Sequence, residues 1–156
     1  MKRIVSAIIV TCALAGAVHA ESAAVTDQQV AFSVTLADLN RAAASGDDRA
    51  IPAGKALVID AEIGSITLRV DTDERFTAEV ELIGGSWRGE EEVELYRAYA
   101  LFDGLRYREL FSRRSADRLQ AGDRILVLGR YLGIGIDYDE ATPVAVIEAA
   151  ALRRLQ

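Results

Sequence analysis

Two short acidic segments hold the residues best suited to catalysis or metal binding in this chain. They are Asp71-Thr-Asp-Glu74 and Asp137-Tyr-Asp-Glu140, and each places three carboxylates within four consecutive positions. Carboxylate oxygens are hard ligands that suit Ca²⁺. Neither segment has the length or the spaced glycine of an EF-hand loop, so we interpret both as solvated loops. The sequence therefore predicts no metal site and no cofactor.

A pair of carboxylates could also act as the acid and base of a hydrolase. Glycoside hydrolysis, for example, requires two carboxyl groups on either side of the scissile bond. Asp137 and Asp139 are the pair that we consider for this chemistry, but their order in the sequence does not give the distance between them. We therefore assign no catalytic residue, and a small carboxylate-dependent hydrolase is the alternative to a non-catalytic function.

Aromatic side chains offer a second kind of chemistry, because flat rings can stack on bases or sugar rings. The candidate ligand contacts are Trp87, Tyr96, Arg97, Tyr99 and Tyr138. Glu79 and Glu81 lie on a neighbouring predicted strand, and their charge favours a sugar, a peptide or a protein over a polyanion as the ligand. The alternative is that these aromatic residues only cover the flank of the fold.

Positive charge is concentrated in one stretch of the sequence. Its members are Arg106, Arg108, Arg113, Arg114 and Arg118. An anionic partner such as a lipid headgroup, a phosphorylated polymer or an acidic protein could bind there, and we predict anion contacts at Arg106, Arg113 and Arg114. The plainer interpretation is the solvated face of a short helix. The whole chain has a net charge of −6, which argues against nucleic acid as a partner.

The first twenty residues have the pattern of a cleaved secretory signal. Lys2 provides a positive start, Ile4–Val18 is an apolar run, and small residues end at Ala20, before a candidate cleavage site. The apolar run is shorter than the about 20 residues of a transmembrane helix. We therefore expect a periplasmic or secreted protein.

Cleavage of this segment would change the chemistry that is available to the remaining chain. Met1, Cys12 and His19 are each the only residue of their type, and all three lie within residues 1–20. The remaining chain could form no disulfide, and it would have no thiol nucleophile and no Ser-His or Cys-His pair. These exclusions favour a non-catalytic protein.

Residue spacing predicts one N-terminal helix followed by a series of strands. Thr35 and Asp38 form a variant of the capping box at the start of a helix over 35–44. Alternating apolar residues predict strands over 57–70, 76–83, 92–102, 124–132 and 143–152, with one or two short helical pieces between 105 and 119. Gly64 indicates either one long bent strand or a tight hairpin.

The same pattern predicts two details of the strands over 76–83 and 92–102. Gly84-Gly85-Ser86 predicts the end of the strand over 76–83, with Trp87 and Arg88 at the tip of a hairpin loop. In the next strand the apolar residues change parity near Tyr96, which predicts a β-bulge.

The segment from Leu119 to Arg130, Leu-Gln-Ala-Gly-Asp-Arg-Ile-Leu-Val-Leu-Gly-Arg, resembles the segment by which many OB-fold proteins leave their helix and enter their fourth strand. The order of elements agrees, since a helix between the third and fourth of five antiparallel strands is the OB-fold order. The resemblance covers residues 55–153, lies at the level of architecture and names no family. It implies a mainly β, five-stranded OB-like barrel with an added N-terminal helix. The alternative is a β-sandwich with a decorating helix.

The predicted organisation is a signal peptide over 1–20, a leader or arm over 21–34, a helix and linker over 35–54, and the barrel over 55–156. OB-folds commonly bind oligomers on the face of their second and third strands. The resemblance therefore implies a ligand on the face formed by 76–83 and 92–102. We predict an exported, non-catalytic binding or accessory module that engages a protein or an envelope polymer through this face.

Overall fold

The computed structural model describes residues 30–89 and 91–155, which form six strands and two α-helices. The predicted signal peptide over 1–20 lies outside these residues and stays a prediction, as do the domain bounds. The residues that are buried in the described part of the chain are all hydrophobic or aromatic. No described helix has both the length and the apolar composition needed to cross a membrane.

The longest strand, β2 (Ala56–Asp71), runs through the centre of the sheet. Its first half alternates between fully buried side chains, such as Leu57 and Ile59, and more exposed ones. A register shift occurs at Gly64, where an added Cβ would lie 2.9 Å from the carboxylate of Glu81. The first predicted alternative is therefore confirmed, because the segment is one long bent strand.

Strands β3 (Phe76–Arg88) and β4 (Glu92–Asp103) form an antiparallel hairpin without a register shift. This corrects two predictions, because Gly84–Ser86 lies within β3 instead of ending it, and no bulge occurs near Tyr96. The two strands extend beyond the barrel, where both of their faces reach solvent. An apolar residue such as Leu95 is therefore exposed there, and its position does not require a change of parity.

A 3₁₀ turn (Leu105–Tyr107) and the short helix α2 (Arg108–Phe111) follow the hairpin. Phe111 is buried in the core. The Tyr107 hydroxyl donates a hydrogen bond to the carbonyl of Ala150 at 2.7 Å. The two helical pieces thereby attach the connection between the third and fourth barrel strands to the last strand of the chain.

Strands β5 (Arg124–Ile136) and β6 (Pro143–Arg154) complete the sheet. Strand β5 pairs with β6 and with the first half of β2, and β6 also pairs in parallel with β4. These pairings join the strands into a partial ring, which is the barrel expected of an OB-like fold and not the alternative sandwich. Strand β5 is longer than predicted, so the loop before β6 shortens to 137–142.

The N-terminal part of the described chain packs on the barrel. Helix α1 (Leu36–Ser45) begins at Thr35, whose side chain and backbone form a reciprocal capping box with Asp38. This confirms the predicted start of the helix. Strand β1 (Val30–Ala31) pairs in parallel with Ala56–Leu57. The fold is mainly β, with the helix added to an OB-like barrel.

Candidate functional site

The outer surface of the hairpin is the face on which OB-folds commonly bind their ligands. Side chains alternate across a strand, so residues paired across the two strands share this surface, which we call the β3–β4 face. Trp87 pairs with Val93, Glu81 with Tyr99, and the pairs between them follow in order. The members of the face are Glu79, Glu81, Ile83, Gly85, Trp87, Val93, Leu95, Arg97, Tyr99 and Leu101.

The half of the β3–β4 face that is farthest from the barrel is apolar and exposed. Trp87 and Leu95 expose 71% and 72% of their surface, and Val93 is also exposed. Gly85 lies beside Leu95 and has no side chain that could cover it. These three apolar side chains, which we call the apolar tip, leave an uncovered surface on which a flat ring can stack.

The other half of the β3–β4 face is charged, but its charges are paired with one another. The Nε of Arg97 donates to Glu81 at 2.8 Å, and its Nη1 lies 2.8 Å from Asp137. Arg69 of β2 lies 3.2 Å from Glu79. We call these five residues the charge cluster. Its carboxylates outnumber its arginines, so its summed charge is negative.

Asp137 joins the loop between β5 and β6 to the charge cluster. Its side chain is only 8% exposed, and it accepts a hydrogen bond from the Tyr99 hydroxyl at 2.7 Å. This hydrogen bond, with the backbone N–H of Tyr138 and the Arg97 guanidinium, holds the pKa of the Asp137 carboxyl below its usual value. The carboxylate is therefore occupied in holding the loop against the barrel.

Tyr99 and Tyr138 have different roles on this surface. Tyr99 is 7% exposed, and burial raises the pKa of its hydroxyl, with the hydrogen bond to Asp137 as the next cause. The ring of Tyr138 lies edge-on to Tyr99, with centroids 6.0 Å apart, and remains 57% exposed. The guanidinium of Arg69 lies 4.9 Å from the Tyr138 ring centroid. Of the two tyrosines, only Tyr138 presents a ring to a ligand.

A pocket of about 240 Å³ lies between Tyr138 and the charge cluster. This volume is below the roughly 300–1,000 Å³ of typical small-molecule sites. A ligand of the β3–β4 face would therefore lie along its surface instead of entering a deep cleft.

Tyr96 lies on the opposite side of β4 from Tyr99, because alternation separates residues at odd spacing. Its hydroxyl forms hydrogen bonds with Ser86 at 2.6 Å and with Glu94 at 3.1 Å. The predicted grouping of Tyr96 with Trp87 and Tyr99 is therefore wrong. A strict alternation through residues 92–102, without the predicted bulge, would have separated them.

The predicted anion contacts divide into two groups. Arg106 packs on the ring of Tyr107, 4.6 Å from its centroid, and donates to its hydroxyl. Arg113 and Arg114 are exposed and line a cavity of about 600 Å³ beside α2. Neither of these two arginines forms an ion pair with a described residue. The structure therefore brings together two of the three residues.

Carboxylates of the two acidic segments form hydrogen bonds or ion pairs with other residues of the fold. Asp139 accepts hydrogen bonds from the side chain of Thr142 and from the backbone N–H groups of Thr142 and Ala141, which lowers the pKa of its carboxyl to about 2. Asp71 pairs with Arg108 at 2.7 Å. Among residues 30–89 and 91–155, no group of three potential ligands could hold a metal ion. The carboxylates considered for a hydrolase are thus used to order a loop.

The sequence matches no family model and no curated protein. Among solved structures, the chain is similar to a Plasmodium falciparum SSB in complex with ssDNA, with 14% identity, a TM-score of 0.48 and coverage of 65% of this chain and 94% of that one. For a deletion mutant of the single-stranded DNA binding protein from Thermus aquaticus, the identity is 15% and the TM-score is 0.46, with coverage of 65% of this chain and 50% of that one. For the second single-stranded DNA binding protein (SSBb) of Mycobacterium smegmatis, the identity is 13% and the TM-score is 0.44, with coverage of 64% of this chain and 86% of that one.

These neighbours disagree with the predicted function and with the predicted partners. The named structures are single-stranded DNA-binding proteins, whereas we predicted an exported module for a protein or an envelope polymer, or else a small hydrolase. The expectation that nucleic acid is not a partner is corrected by the same finding. Net charge does not decide between partners, because it sums over the whole chain and does not describe one surface.

At these identities and TM-scores the similarity concerns the fold, and the ligand must be argued from the residues of this chain. The evidence for the fold is the strand order, the bent first barrel strand, the helical segment between the third and fourth barrel strands, and the closure of the sheet. The chain is an OB-fold-like small β-barrel, assigned at the level of architecture and to no family within that fold.

Proposed function

We propose that the protein binds single-stranded nucleic acid on the β3–β4 face, with bases stacked on the apolar tip and on Tyr138. The observation that carries this proposal is the exposed Trp87 on the surface that OB-folds use for oligonucleotides and oligosaccharides. A base stacked on an aromatic side chain contributes about 1–3 kcal/mol, and it does so for every base type. The expected recognition is therefore tolerant of sequence.

The charge cluster determines how such a strand would be held. Arg69 and Arg97 are already paired with carboxylates, and Arg88 beside Trp87 pairs with Glu94 at 2.6 Å. Few counterions would be released from phosphates on this face, so the affinity would depend weakly on salt. Stacking, and not phosphate contact, then supplies most of the binding free energy.

Fluorescence anisotropy with a labelled oligothymidylate of about 15 nucleotides tests the proposal, since one OB-fold covers about 4–16 nucleotides. We expect Trp87→Ala to weaken binding roughly 5- to 150-fold, which corresponds to about 1–3 kcal/mol. Trp87→Phe keeps an aromatic ring and should retain most of the affinity. Trp87 is also the only tryptophan, so quenching of intrinsic fluorescence reports on this site in the unmodified protein.

Leu132→Ala is the matched control, because Leu132 is also an exposed apolar residue but lies on β5. It should bind like the unmodified protein. The proposal is overturned if the oligomer does not bind, if Leu132→Ala weakens binding as much as Trp87→Ala, or if duplex DNA binds as tightly as the single strand. Duplex bases are already stacked and offer no free faces to Trp87.

A further inference from the structure

A second surface lies away from the β3–β4 face, between the second half of β2 and the segment 112–119. Two adjacent cavities, of about 600 and 180 Å³, share Leu68, Phe111 and Arg113 in their walls. We call this continuous depression the arginine groove. Its β2 wall runs from Ile66 to Asp71.

The walls of the arginine groove are partly apolar. Ile66 and Leu68 of β2 line it on one side, and Phe111 and Leu119 line it on the other. Leu68 is exposed although it lies within a strand. Burial of such a side chain stabilises a complex by removing apolar surface from water.

The edge of β2 that faces the groove has no strand partner among the described residues. Strand β5 pairs with β2 only as far as Glu62, and β3 pairs with the rest of β2 on the opposite edge. Ile63 still exchanges backbone hydrogen bonds with Asp123 and Gly122. Beyond Gly64 this edge can accept an added strand, as exposed sheet edges do when they bind peptides.

The charge of the groove is positive. Arg108, Arg113 and Arg114 line the larger cavity, and Arg118 lines the smaller one with Arg113. Two carboxylates also line the larger cavity. Asp71 among them is neutralised by Arg108, and Glu109 is the other. Arg113, Arg114 and Arg118 therefore leave an excess of positive charge in a protein that is acidic as a whole.

We propose that the arginine groove binds an extended acidic peptide, which adds as a strand to the free edge of β2. Side chains alternate along such a peptide, so one set covers Ile66 and Leu68 while carboxylates of the other set reach Arg113, Arg114 and Arg118. A free strand edge favours a peptide over a nucleic acid, because only a peptide can continue the backbone hydrogen bonds of the sheet. This partner is additional to the proposed nucleic-acid ligand.

Anisotropy with a fluorescein-labelled peptide of alternating valine and glutamate, about eight residues long, tests the proposal. We expect the double variant Arg113→Gln/Arg114→Gln to weaken binding at least tenfold. Arg41→Gln/Arg49→Gln is the matched control, because these arginines are exposed at α1 and in the segment that follows it. It removes the same charge and should change the affinity less than twofold.

Two further probes separate strand addition from simple charge attraction. A peptide in which proline replaces each valine keeps its carboxylates but lacks the backbone N–H donor at those positions, and it should bind at least tenfold more weakly. Hydrogen exchange should slow at the amides of residues 64–70 when the valine–glutamate peptide binds. Equal binding of the proline peptide, equal weakening by both double variants, or displacement of the peptide by oligothymidylate would overturn the proposal.

The Trp87→Ala variant distinguishes this proposal from the proposed function. It should bind the acidic peptide as the unmodified protein does, since Trp87 does not line the groove. Loss of oligothymidylate binding with retained peptide binding therefore supports two separate sites. Loss of both in this one variant contradicts an independent groove.

Discussion

Arg97 and Arg113 carry the same guanidinium group, but the charge cluster and the arginine groove place it in opposite environments. Arg97 is held by Glu81 and Asp137 on the β3–β4 face. Arg113 lies exposed beside an apolar wall and forms no ion pair with a described residue. Paired charge orders the loop between β5 and β6, whereas unpaired charge remains available to a partner.

This comparison shows why the type of a residue does not identify a binding site. An arginine that already bonds two carboxylates would have to break those bonds before it contacted a phosphate or a carboxylate of a ligand. An arginine in water loses only part of its hydration and some side-chain freedom on binding. Whether an arginine on either surface can bind a ligand therefore depends on whether carboxylates of the fold already pair with it.

The largest expected difference is in the contribution of the two arginines to stability. Arg97→Met should lower the free energy of unfolding by about 1–3 kcal/mol, because it leaves Glu81 and Asp137 without their charged partner. Arg113→Met should change it by no more than about 0.5 kcal/mol, as expected for a surface substitution. Urea unfolding of the two variants measures both values.

Equal effects of the two substitutions would contradict the contrast between paired and unpaired charge. The double variant Glu81→Gln/Asp137→Asn provides a second check. Addition of Arg97→Met to this double variant should cost less than it does in the unmodified protein, because the interaction has already been removed.

Acid should affect the charge cluster before it affects the arginine groove. The pKa of Asp137 is lowered in the folded protein, chiefly by the Tyr99 hydroxyl, and that of Asp139 is lowered to about 2 by Thr142. A carboxyl with a lowered folded pKa adds stability above its unfolded pKa of about 3.9, and this stability is lost as pH falls toward the folded value. We expect the loss between about pH 4 and pH 2.

Urea unfolding at pH 6 and pH 2.5 measures this effect. Asp137→Asn should be less stable than the unmodified protein at pH 6, and the difference should shrink at pH 2.5. A difference that grows in acid would mean that the Asp137 carboxylate opposes folding. Arg113→Met is the control, since the arginine remains charged at both pH values and its small effect should not change.

The smallest expected effect is at Tyr138, which lies beside the charge cluster. Tyr138→Phe removes the hydroxyl that bonds Glu79 and Arg69 but keeps the aromatic ring. Its cost should be about 0.5–1 kcal/mol, as for an ordinary hydrogen bond, and oligothymidylate binding should change less than with Trp87→Ala. Thermal unfolding and anisotropy measure the two quantities. A greater loss of stability than with Arg97→Met would reverse the expected order of the two effects.

Much of the barrel could be predicted from local pattern. The capping box of Thr35 and Asp38 is a short-range signal, and the apolar alternation of residues 76–83 and 124–132 reports which face of each strand is buried. Alternation did not predict the exposure of Leu95, because a sequence pattern does not reveal where a strand leaves the barrel. It also failed at Tyr99, whose burial depends on Asp137 and Tyr138 from a distant loop.

The sequence by itself determined the order of the barrel strands, an irregularity at Gly64 and the place of the tryptophan near the end of a hairpin. These features depend on neighbours within a few residues and on the period of side chains along a strand. Only the tertiary structure decided which arginines are paired, which aromatic rings are free and which edge of β2 lacks a strand partner among the described residues. Those outcomes depend on contacts between residues far apart in the chain, such as Arg97 with Asp137, which local pattern does not encode.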